Sequence, residues 1–101
     1  MYTIEYLPEV VEDMKALDRS QRKAVQMALE KIRRQPGEYG KPLGHKHGLN
    51  LTGLRRVKLS ALGIRVVYRL IPGRETILVL TIGKREADEV YRKALNRYRK
   101  P

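Results

Sequence analysis

Tyr2, Ile4 and Tyr6 alternate with Thr3 and Glu5, a period of two that predicts a short opening strand. Pro8 suits the first turn of a helix, and Val10, Val11, Met14 and Leu17 then recur at helical spacing. Asp18 or Ser20 can cap a second helix. Along it Ala24, Val25, Ala28, Leu29 and Ile32 form one apolar stripe, with Arg22, Lys23, Lys31, Arg33 and Arg34 mostly off it. Pro36-Gly37 stops this helix. The short connection between the two predicts an αα-hairpin.

Residues 37–53 are rich in Gly and Pro and weakly periodic, so they read as a loop. Three strands follow, at about 54–60, 64–71 and 76–82, with turns near Leu62-Gly63 and Pro72-Gly73 that are short enough for antiparallel hairpins. The third is apolar on both faces (Ile77, Leu78, Val79, Leu80, Ile82) and should be central. A last helix spans about 86–99. The predicted order is β-α-α-β-β-β-α: a single α+β domain over residues 1–101, with a mainly antiparallel sheet packed against the helical hairpin. The other face of the sheet is then free.

The chain has 101 residues, enough for one modest core. Hydrophobic residues make up 42%, ample for a globular fold, and the 33% that are charged interleave with apolar periodicity rather than forming disordered runs. There are six Tyr but no Phe or Trp, which predicts rings at the boundary between core and surface. With no Cys, disulfides and thiolate metal sites are excluded. No cofactor motif is present, since Gly83-Lys84 lacks the rest of a phosphate-binding loop. Asn50-Leu51-Thr52 fits the glycosylation pattern, but no secretory signal precedes it. No apolar run approaches the roughly 18 residues of a membrane span. The expectation is a cytoplasmic protein without a membrane role. A net charge of +11 and a pI near 10.3 favour nucleic acid, or an acidic protein that neutralises this one.

The charge has a pattern. Arg56 and Lys58 are two apart on a predicted strand, so they share a face while Val57 and Leu59 point the other way. Arg65, Lys84 and Arg85 follow, then Tyr91. A face that gathers like charges has a self-repulsion cost, which a bound polyanion relieves; RNA or DNA fits. Other positions have blander readings. Tyr68 sits among apolar neighbours and reads as core. Tyr91 shares a helical stripe with Val90, Ala94 and Leu95, so a core role is its alternative. His45 and His47, with no nearby acid, read as exposed loop histidines. Asp88 and Glu89 favour the dipole of the last helix.

Arg56-Val57-Lys58-Leu59, Gly63-Ile64-Arg65-Val66-Val67-Tyr68, Ile82-Gly83-Lys84-Arg85-Glu86 and Glu89-Val90-Tyr91, in this order of elements, resemble the RelE/ParE superfamily of toxins from bacterial toxin–antitoxin pairs. The basic pair, Lys84-Arg85 and Tyr91 are similar to the RelE branch, whose members are mRNA endonucleases that act in the ribosomal A site. The resemblance implies four catalytic positions: Lys58 as general base, Arg65 stabilising the transition state, Arg85 protonating the leaving group, and Tyr91 stacking on a base. Arg56, where the family usually has Lys, and Lys84 would bind substrate. It implies no metal and no cofactor. The implied partners are mRNA on the ribosome, against 16S rRNA, and a RelB-like antitoxin, with DNA reached only through that antitoxin. The alternative on the same fold is a ParE-like inhibitor of DNA gyrase that cuts nothing.

Overall fold

The alternating segments assemble into one five-stranded sheet in a computed structural model that describes residues 2–84 and 86–99. The elements run β1 (Thr3–Tyr6), α1 (Val10–Lys15), α2 (Arg19–Arg34), β2 (Lys41–Lys46), β3 (Leu49–Leu59), β4 (Ile64–Ile71), β5 (Thr76–Gly83) and α3 (Ala87–Arg99). Across the sheet the order is β1-β5-β4-β3-β2. Only the β1–β5 pair is parallel. The α+β class and mainly antiparallel sheet agree with the sequence reading, and β5 is an interior strand as its two apolar faces require.

The reading of residues 37–53 as a loop is overturned. They contain β2 and the first part of β3. The periodicity was hidden because β2 lies at the sheet edge and buries only Leu43. An edge strand tolerates Pro42 and Gly44, and the register shifts between them.

Two cores result. On one face, Val25, Ala28, Leu29 and Ile32 of α2 bury against Val57, Val66, Tyr68, Ile77 and Val79. Asp18 starts α2 with a reciprocal capping box: its carboxylate accepts from the Gln21 N–H, and its own N–H donates to the Gln21 side chain. The expectation that the opposite face stays free needs correction. Val90, Tyr91, Ala94 and Leu95 of α3 must also leave water, and they cover Leu51, Leu54, Val67 and Leu80 there. Only the part of that face beyond α3 remains open.

β1 ends at Tyr6, opposite Val79, while β5 runs on to Gly83. Leu80 is an extra residue in β5, where the register with β4 shifts. The backbone groups left at this open edge find side chains instead. The Asp13 carboxylate accepts from the Ile82 N–H at 3.0 Å and from the Thr81 hydroxyl at 3.2 Å. Arg97 donates to the Leu80 carbonyl at 3.0 Å and grips Asp13 through two hydrogen bonds of 2.6 and 3.0 Å. This pair ties α1, β5 and α3 together where no strand covers the edge.

Candidate functional site

Arg56 and Lys58 alternate along β3 with Val57, which lies in the α2-side core. Leu54, two residues before Arg56, lies in the α3-side core. Period-two geometry therefore places both cations on the α3 side of the sheet. Arg65 alternates likewise with Val66 along β4 and shares the face of Val67. The register sets Lys58 directly opposite Arg65, and Arg65 directly opposite Gly83 of β5. Directly opposed side chains stand roughly 5 Å apart at Cβ, and like charges there are destabilising. Lys84 follows Gly83, so three strands bring Lys58, Arg65 and Lys84 to one end of the sheet. Arg56 lies one step further in, opposite Val67.

Lys58 and Lys84 are exposed, whereas Arg56 and Arg65 are partly covered. Among the described residues none of the four forms an ion pair. The Arg65 Nε is buried without a hydrogen-bond partner there. An open cleft of about 650 Å³ sits beside it, lined by Gly63, Arg65, Lys84, Glu86, Ala87 and Glu89. The two glutamates make the rim mixed in sign, a feature the sequence reading did not include. Gly83 lies under α3, where a Cβ would come within 3.0 Å of Val90, so a side chain at this position would press β5 and α3 apart.

Gly40 backs the same surface from below. It holds φ +87°, in the left-handed region. A Cβ there would collide with the Tyr68 hydroxyl and lie 2.9 Å from the backbone oxygen of Arg56. Tyr68 is buried, as its sequence context predicts, and donates to the Tyr39 carbonyl at 2.9 Å.

Tyr91 is not presented beside these cations as an open ring. It is 2% exposed within the α3-side core, and the His47 ring lies 5.7 Å from it, tilted by 42°. His47 is exposed and adopts φ +53° in the turn between β2 and β3. A nucleobase can reach the Tyr91 ring only if this hairpin tip moves aside. The two residues are 44 positions apart, and no local pattern announces their contact. His45 is exposed, on β2 rather than in a loop. Arg85 lies outside the described residues.

A family profile described as "ParE toxin of type II toxin-antitoxin system, parDE" matches residues 4–89. The mRNA interferase toxin RelE of Escherichia coli (strain K12) is 40% identical over 42 residues, which are 42% of this chain and 44% of that relative; the chain thus aligns with under half of its length. A RelE-like toxin protein of Escherichia coli is 28% identical over 101 residues, covering 97% of this chain and 98% of the other. Among solved structures, a doubly substituted E. coli toxin RelE in the free state superposes with a TM-score of 0.77 at 26% identity, over 95% of this chain and 96% of the other. The toxin chain matched in the RelBE2 toxin–antitoxin complex from Mycobacterium tuberculosis gives 0.69 at 25% identity, over 83% and 91%.

Proposed function

The chain belongs to the ParE toxin family of type II toxin–antitoxin systems, as a RelE-type toxin of the RelE/ParE superfamily, and on that premise we propose that it is a ribosome-dependent endoribonuclease that cuts mRNA in the A site. The observation that carries this reading is the direct opposition of Lys58 and Arg65 on neighbouring strands, with Lys84 beside them. That arrangement opposes the stability of the free protein and suits a phosphodiester set between the cations.

In the proposed reaction the RNA 2′-oxygen attacks the adjacent phosphorus. The P–O5′ bond breaks, leaving a 2′,3′-cyclic phosphate and a 5′-hydroxyl. Lys58 takes the 2′-proton as general base. The Arg65 fork matches two phosphoryl oxygens and holds the charge that accumulates on them; a donor of this kind is worth about 3–4 kcal/mol of barrier. Arg85 neutralises the leaving 5′-oxygen, whose basicity makes late proton transfer downhill. Arg56 and Lys84 hold flanking phosphates. No metal has a part in this scheme. Tyr91 stacks on a base once the His47 turn has swung off it. Free RNA rarely holds the attacking and leaving oxygens in line, and alignment is worth several kcal/mol, so the ribosome supplies the pose.

The antitoxin partner is an acidic, RelB-like chain that covers the cations, by analogy with neighbours solved as RelE–RelB complexes. The test is a translation reaction with programmed ribosomes. The expected result is mRNA cut within A-site codons, with cyclic-phosphate ends. Intact mRNA together with inhibited DNA supercoiling would instead establish the gyrase-directed alternative.

A further inference from the structure

The outer face of α2 carries a second basic surface, on the other side of the sheet from Lys58 and Arg65. Val25, Ala28, Leu29 and Ile32 are buried against the sheet, so the opposite face of the helix points to solvent. Arg19, Lys23, Lys31 and Arg34 are all exposed there, with Met27 58% exposed between them. Steps of four, four, four and three residues keep these five positions in one row. At 1.5 Å per residue the row is roughly 22 Å long.

The fold does not account for this row. Like charges four apart on a helix repel. Arg19 stands at the first helical position, the positive end of the helix dipole, and no acid occupies that turn. Among the described residues none of the four cations is paired with a carboxylate. Glu30, the acid on this side of the helix, is held by Arg33 at 2.9 Å, and the Lys31 ammonium rests 5.7 Å from the centre of the Tyr39 ring.

We propose that this face docks the phosphate backbone of folded RNA, independently of the catalytic surface. Its chemistry selects that partner. Long cationic side chains in a row, with one ring, Tyr39, at the side and already met by Lys31, suit the backbone of a duplex, whereas unpaired bases are held on several aromatic platforms. An amphipathic peptide helix needs a row of apolar anchors, and Met27 alone does not make one. The placement fits as well. The two basic surfaces face opposite ways in a molecule whose shortest extent is 25 Å. One free strand in the cleft would leave α2 untouched, whereas RNA folded around the chain meets both. The ribosomal reading above supplies the identity of that RNA; the docking surface stands on the charge row itself.

The test uses the full chain with Arg19→Gln, Lys23→Gln, Lys31→Gln and Arg34→Gln combined, since Gln keeps helix propensity at exposed sites. Binding to 70S ribosomes and to a duplex fragment of ribosomal RNA is measured from about 50 to 200 mM salt, the range over which phosphate contacts separate most clearly. The expected result is affinity at least about tenfold weaker, and a log–log salt slope shallower by about 3, near one per lost phosphate contact. Exchanging Lys for Arg and Arg for Lys at the four positions should restore both. Unchanged slope and affinity overturn the proposal, and so does weakened antitoxin binding with ribosome binding intact. If the wild-type chain cuts no mRNA yet the slope change holds, the nuclease reading fails and the docking surface survives.

Discussion

Lys58 and Arg65 face each other across adjacent strands at a cost to the free protein, and that cost makes a sharp expectation. Arg65→Ala should lower single-turnover cleavage on programmed ribosomes by about 10²–10³-fold, the loss typical of one transition-state donor. Its urea midpoint should stay level or rise, because a repulsion goes with the side chain. Arg65→Lys should fall between, since an ammonium keeps the charge without the fork. Gly40 offers the contrasting case of a position that acts only through backbone. Gly40→Ala should destabilise by about 2 kcal/mol or more, from the left-handed φ and the contact with the Arg56 oxygen. Adding Tyr68→Phe should recover only the share owed to the hydroxyl, which a double-mutant cycle in urea would separate. Alternation was sufficient to collect Arg56 and Lys58 on one face, because a strand has period two whatever its partners; Arg65 joins them through the register of β4 on β3. The burial of Tyr91 was open from sequence: its stripe with Val90, Ala94 and Leu95 was visible, but the hairpin tip that closes over it comes from far along the chain.

At the level of elements, the Asp13–Arg97 pair bonds the stretch of β5 that β1 leaves uncovered. Both side chains are about 10% exposed, at 9% and 11%. Burial alone pushes the Asp13 carboxyl up; the Arg97 hydrogen bond, the Ile82 N–H, the Arg97 charge and the Thr81 hydroxyl outweigh it and bring it below its ordinary 3.8. A carboxyl lowered in the folded state adds stability above its unfolded value, and that stability disappears as pH falls through the folded one. Thermal midpoints should therefore fall on acidification below about pH 4, and Asp13→Asn should remove that part of the fall. Asp13→Ala, which strands Arg97, should cost about 3–5 kcal/mol at pH 7. None of this was legible in advance, since Asp13 and Arg97 are 84 residues apart. The elements that were legible, α2, β4 and β5, have long apolar stripes set by burial. β2 was not, because an edge strand with one buried side chain carries almost no pattern.

The molecule as a whole places cations on both broad sides of one sheet, with two cores between them. Its sheet order also has a temporal consequence. β1 is translated long before β5, its neighbour in the sheet, and Thr3 meets Thr76, 73 positions further along. Contacts of such span close slowly. Until residue 79 has emerged during synthesis, the opening strand has no neighbour to join. The cationic end, which needs β3, β4 and the end of β5 in register, is assembled only once Gly83 and Lys84 have been made. On the proposed function, a growing polypeptide therefore lacks its cutting surface until that point, and the delay gives a neutralising partner time to arrive first.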